Sequence, residues 1–160
     1  MRELYRLSGL VMALCWSAGA GAGDIMIEAA WARATAPGQS VASVDLTITS
    51  KQAATLIGVT SKVAQSVEMH SMTQQNGVMK MRRVEAITLP AGKAMKLGES
   101  GYHLMLVGLK APFAAGESIP LTLTIKLPNK RKMRIEVNAE VKPLTTSKPA
   151  AQADEHEHHH

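Results

Sequence analysis

The chain has 160 residues and a formal net charge of +5, with 46% hydrophobic residues but only 3% aromatic ones. That length points to one domain, and the few aromatics leave the core to Val, Ile, Leu, Ala and Met. A basic balance is the usual footprint of a nucleic-acid binder, but an export leader and sparse aromatics argue against it; an acidic protein partner or a membrane surface fits the charge better.

The first residues read as targeting. Arg2 and Arg6 precede a short apolar run from Leu7 to Cys15, and a small-residue cleavage site follows in Ala18-Gly19-Ala20 or Ala20-Gly21-Ala22. This is the pattern of a secretory signal peptide over residues 1–22, too short to span a bilayer. Cleavage between Ala20 and Ala22 places the protein in the periplasm, soluble, with no transmembrane segment in its mature form. Cys15 raises the question of a lipid anchor, but Leu14 precedes it, where such sites want a small residue. Without Cys15 the mature chain has no cysteine, hence no disulfide and no thiolate ligand.

Residues 23–143 show strand signals and no helix-period stretch. Ile25 to Ala32 leads into a turn at Ala36-Pro37-Gly38. Val41 to Thr49 alternates apolar and polar residues. Ala54 to Thr60 and Ser66 to Met72 follow. Gln75-Asn76-Gly77 supplies a hairpin turn before Val78 to Ala86. Pro90-Ala91-Gly92 is another turn, Met95 to Leu97 a short element, and Tyr102 to Leu109 a strongly apolar one. Ile119 to Leu127 and Met133 to Val141 flank a turn at Pro128-Asn129-Lys130. Short strands at this spacing predict a single all-β sandwich or barrel. Met26, Met69, Met95 and Met133 read as core filling. Lys130-Arg131-Lys132 with Arg134 falls at a hairpin tip, a solvated turn or a minor docking patch.

From residue 144 the composition turns polar and ends in Asp154-Glu155-His156-Glu157-His158-His159-His160. The tail over residues 144–160 is predicted to be disordered. Its His156, His158, His159 and His160 suit a secondary Cu(II) site.

Outside that tail the chain has two His, His70 and His103. Met81 follows His70 after ten residues, His103 follows Met81 after twenty-one, and Met105 lies two beyond His103. Two imidazoles and two thioethers form a neutral, soft donor set, which suits Cu(I) better than Zn(II). Thioethers escape disulfide chemistry in an oxidising compartment, though they can be oxidised to sulfoxide. On strands, residues i and i+2 share a face. His103 therefore points with Met105, Met81 with Met79, and His70 with Met72, so alternation alone leaves Met72 and Met79 as candidates too. If Gln75-Asn76-Gly77 turns tightly, Met79 lies on the Met72 side and Met81 deeper, closer to His70. No acidic partner for either His is identifiable, and no catalytic triad or phosphate loop is present.

The spacing and its flanks resemble the PCuAC family of periplasmic copper chaperones, whose pattern is His-x10-Met-x21-His-x-Met. The matching flanks are Trp31-Ala32-Arg33-Ala34-Thr35, Val67-Glu68-Met69-His70, Gly77-Val78-Met79-Lys80-Met81-Arg82 and Gly101-Tyr102-His103-Leu104-Met105-Leu106. Four positions at fixed spacing are far more specific than a lone short motif. The resemblance implies a cupredoxin-like Greek-key β-sandwich or barrel. It further implies a monomeric, non-enzymatic chaperone that holds Cu(I) with His70, Met81, His103 and Met105. Such a protein delivers copper toward the copper-binding subunit of cytochrome c oxidase, directly or with a Sco-type thiol chaperone. The alternative is a periplasmic buffer that sequesters copper. A blue-copper electron carrier would need a Cys ligand, which the mature chain lacks.

Overall fold

The computed structural model describes residues 23–98 and 101–144. The predicted leader and all of the predicted tail beyond Leu144 lie outside them. Ten strands are present, and no helix occurs among the described residues. They are β1 (Ile25–Arg33), β2 (Val41–Ser50), β3 (Ala54–Thr60), β4 (Ala64–Gln75), β5 (Val78–Arg83), β6 (Ile87–Leu89), β7 (Ala94–Leu97), β8 (Tyr102–Leu109), β9 (Ser118–Lys126) and β10 (Lys132–Lys142). The fold is all-β and a single domain, as the strand pattern predicts.

All ten strands belong to one sheet, ordered β5-β4-β8-β2-β1-β10-β9-β3-β6, with β7 paired to β2 off this path. β3 and β4 stand near opposite ends of that order yet touch, so the sheet rolls back on itself. The rolled inner face is the core. Val44, Leu46 and Ile48 of β2, Leu104 and Leu106 of β8, and Leu121, Leu123 and Ile125 of β9 are almost wholly removed from water. Each such side chain contributes about 1.5–3 kcal/mol on burial. Their polar neighbours in sequence face out, because alternate residues of a strand take opposite faces.

Two expectations need correction. Met26 is exposed, not core: Ile25 beside it points inward, and alternation turns Met26 outward. The stretch from Val78 to Ala86 is not one strand. β5 ends at Arg83, and Val84 donates its N–H to the Met69 carbonyl at 2.8 Å. The chain then crosses to β6, where Ile87 and Leu89 bury against the far end of the sheet beside β3. Met69 is buried as expected, and Met95 and Met133 pack half-buried against the core. The Lys130–Lys132 run does sit at the β9–β10 hairpin tip.

β1 carries a bulge. Glu28 pairs with Thr47, but Trp31 pairs with Asp45, so one extra residue is inserted in β1. Ala29 absorbs it with φ 50°. The inserted residue shifts the alternation. Trp31 is thereby delivered to the outer face, and Ala32 goes to the core at 1% exposure.

Candidate metal centre

β8 lies between β4 and β2. Burial of Leu104 and Leu106 turns His103 and Met105 to the outer face. On β4, burial of Met69 does the same for Glu68 and His70. Register then brings these residues together. His70 is the direct cross-strand partner of His103, and Glu68 that of Met105. Directly opposed side chains on a sheet stand about 4.5–5.5 Å apart at Cβ, so the two imidazoles are immediate neighbours. Tyr102 opposes Ser71, and the N–H of Met72 donates to the Gly101 carbonyl at 2.5 Å, which fixes the start of β8 against β4. Gly101 sits at φ 83°, where a side chain would be strained.

The β4–β5 hairpin places the remaining thioethers. Gln75 pairs with Val78 across the two-residue turn Asn76-Gly77, both at positive φ (52° and 78°). That is the turn geometry for which Asn-Gly is favoured. Counting outward from it, Met79 pairs with Gln74, Met81 with Met72 and Arg83 with His70. Met81 is thus one diagonal step from His70 and Met79 is further out, as expected. The neighbour of Met72, however, is Met81 and not Met79, because the turn is two residues long and the register allows nothing else. Met81 and Met105 occupy opposite corners around the His70–His103 pair. Met79 and Met81 are 57% and 46% exposed, so β5 offers thioether sulfur to solvent at the edge of the sheet.

The two ring nitrogens of His70 are not equivalent. Nε2 lies 2.9 Å from Glu68 Oε2, while Glu68 Oε1 accepts from the Arg83 guanidinium at 3.2 Å. Nδ1 is buried and has no hydrogen-bond partner. In the neutral imidazole, donation of Nε2–H to a carboxylate leaves the lone pair on Nδ1. Glu68 was not foreseen as a partner of His70. The signal was available, since Glu68 is two residues before His70 and alternation puts both on one face. Among the described residues, no three His, Cys, Asp or Glu side chains gather into a metal-holding group.

Together these features define an all-β, cupredoxin-like domain with histidine and methionine gathered on one outer surface of its sheet. The chain belongs to the LpqE-like family, described as "putative lipoprotein LpqE-like", whose model matches residues 25–141. It is similar to "Putative lipoprotein Lxx21020" of Leifsonia xyli subsp. xyli, 35% identical over 124 residues that cover 75% of each chain. Among solved structures it is similar to the copper-bound PCuAC domain from PmoF2, at 25% identity and TM-score 0.59, covering 76% of this chain and 94% of that one. It is likewise similar to the Cu(I) form of DR1885 from Deinococcus radiodurans, at 30% identity and TM-score 0.57, covering 77% and 83%. The fold implied by the PCuAC resemblance is the fold found.

Proposed function

We propose that this protein is an exported copper chaperone, not an enzyme, that holds one Cu(I) with His70, Met81, His103 and Met105. The observation that carries the reading is the buried, unpartnered Nδ1 of His70 at the centre of the His–Met face. A buried polar atom without a partner is rare and asks for a ligand. Glu68 would act as the carboxylate that fixes the tautomer of a metal-binding imidazole, leaving Nδ1 to the ion. His103 adds the second imidazole, and Met81 and Met105 bring thioether sulfur from either side. Methionine has three rotatable bonds and a polarizable sulfur, which lets it reach in from a diagonal position.

All four donors are neutral, so the site does not cancel the charge of the ion. Soft donors select Cu(I) over harder divalent ions. Partner thiolates can extract a monovalent ion held this way, which suits delivery. The copper-binding proteins among the structural relatives support this reading, and the lipoprotein descriptions of the family support export. Acceptors of the right kind are the copper-binding subunit of cytochrome c oxidase and a Sco-type thiol chaperone. Residues 1–22 would be removed on export. The tail, with His156, His158, His159 and His160, would bind Cu(II) separately.

The test is a chelator-competition titration with Cu(I), followed by X-ray absorption. One equivalent with mixed nitrogen and sulfur scattering is expected, and nitrogen or oxygen scattering alone overturns the donor set. Incubation with the apo copper domain of cytochrome c oxidase then separates delivery from storage: retention of the ion makes the protein a buffer.

A further inference from the structure

Three of the five exposed large apolar side chains among the described residues, Val78, Met79 and Met81, lie on β5. That strand ends the sheet order and is exposed along its whole length. A strand methionine usually fills a core, and Met79 and Met81 fill none. They are two residues apart and share the face of Met72 and His70.

The backbone sets Met72 and Met81 close together. Val84 N–H donates to the Met69 carbonyl, while Met72 N–H turns the other way, to the Gly101 carbonyl just before β8. Hydrogen-bonded and non-hydrogen-bonded pairs alternate along an antiparallel ladder. Counting from Met69 and Val84 toward the turn makes Met72–Met81 a non-hydrogen-bonded pair, with Cα atoms about 4.5 Å apart and side chains at their closest. Met79 is diagonal to Met72, about 7–8 Å away and within reach of a long side chain.

Successive pairs on one face are about 7 Å apart along the strand. The level of Met79 is therefore about 14 Å from that of His70, too far for one ion to touch both. Met105, level with Glu68, is equally far from the level of Met72. Met81 stands between the two groups. From Ser71 to Val84 the chain has no His, Cys, Asp or Glu, so the hairpin offers an ion three thioethers and no charged donor. Soft, neutral sulfur of this kind takes Cu(I) and not a hard divalent ion.

We propose that Met72, Met79 and Met81 form a second Cu(I) site, made of thioethers alone, through which the ion enters and leaves the His70–His103 centre. The proposal rests on the Cu(I)-carrier reading. Met81 is common to both sites, so they fill in turn and the protein still holds one ion. The ion stays Cu(I): its bonds to His70, His103 and Met105 break as those to Met72 and Met79 form, with Met81 attached throughout. The His70 side chain is only 17% exposed, whereas Met79 and Met81 are 57% and 46% exposed. The hairpin is thus the end of the metal face that an outside ligand reaches first.

One experiment titrates Cu(I) into the His70→Ala/His103→Ala variant, with methionine methyl groups followed by NMR and the ion by X-ray absorption. The variant is expected to keep one weaker equivalent with sulfur-only scattering and shifted Met72, Met79 and Met81 methyls. Adding Met72→Leu and Met79→Leu is expected to abolish that equivalent, since Leu keeps the volume and removes the sulfur. A second experiment follows release of Cu(I) to bathocuproine disulfonate by stopped flow, from the wild type and from Met72→Leu/Met79→Leu with both histidines in place. The leucine variant is expected to keep its Cu(I) affinity and to release about tenfold more slowly, the effect of about 1.4 kcal/mol of barrier. This measurement decides alone if the histidine variant fails to fold. No Cu(I) bound by a folded histidine variant, nitrogen scattering from the tail histidines, or binding that survives the leucine substitutions overturns the second site, while the mixed nitrogen and sulfur centre of the wild type stands. Equal release rates overturn it as well. So does a loss of affinity in the leucine variant as large as that in Met81→Leu, which would place these sulfurs in the first centre. A wild type that binds no Cu(I) removes the carrier reading and this site together.

Discussion

Met72 and Met81 face each other directly across the β4–β5 hairpin, one residue pair outward from His70 and Arg83 on the same side of the sheet. Met79 is left opposite Gln74, a further pair toward the turn. This geometry sets Met79 furthest from His70, and the His-x10-Met spacing selects Met81 over the facing Met72. Replacing Met by Leu roughly conserves volume and removes only the sulfur donor. Cu(I) affinity should fall clearly for Met81→Leu and Met105→Leu, and little for Met79→Leu or Met72→Leu, when measured by chelator competition. Equal losses at Met72 and Met81 would mean that the facing pair exchanges at the ion.

Glu68 is expected to matter without touching copper. It holds Nε2 of His70 and is itself held by Arg83. Glu68→Gln removes the charge that fixes the ring and should weaken Cu(I) binding by about tenfold, the lower end for loss of such a supporting carboxylate. The thermal midpoint should barely move, because Glu68 is on the outer face. An unchanged affinity, together with a nitrogen-15 spectrum showing the same His70 tautomer, would rule this role out.

Leu104 separates stability from binding. It lies fully buried between His103 and Met105 in sequence and on the other face of β8. Leu104→Ala should cost about 2–5 kcal/mol in denaturant unfolding, as core truncations do. At temperatures where the variant stays folded, its Cu(I) stoichiometry should remain one. If stability were unaffected, the assignment of β8's inner face to the core would be wrong.

The Asn76-Gly77 turn sets the register that places Met81. Gly77 sits at φ 78° with open space around a would-be Cβ, so a substitution there meets conformational strain and no clash. Gly77→Val should destabilise the domain by about 1–2 kcal/mol, the cost of a left-handed conformation for a side-chain-bearing residue. It should also weaken Cu(I) binding through the displaced Met81. Full Cu(I) affinity in a variant shown to be destabilised would indicate that Met81 does not depend on this turn.

The tail is expected to act independently. Removing residues 149–160 should abolish a Cu(II) equivalent and leave Cu(I) binding as it was. Isothermal titration with each oxidation state decides it, and an unchanged Cu(II) stoichiometry would eliminate a tail site.

What the sequence determined by itself was everything of short range. Alternation in Tyr102–Leu109 put His103 with Met105 against Leu104 with Leu106, because a strand's side chains repeat every two residues. The same rule held Glu68 on the face of His70, though that partnership was overlooked. Asn76-Gly77 contained the whole β4–β5 register, since a two-residue turn leaves one way to count outward; the Met72–Met81 pairing was legible there and was not read. Tertiary structure decided which strands became neighbours. Nothing near His70 specifies that β8, and not another apolar strand, pairs with β4. That choice comes from burying Leu104, Leu106 and Met69 on one rolled inner face, a condition on the whole chain. The bulge at Ala29 was equally hidden: unbroken alternation would have sent Trp31 to the core, and only packing of Ala32 and Val141 against that core turns it outward beneath Arg33 and Lys142.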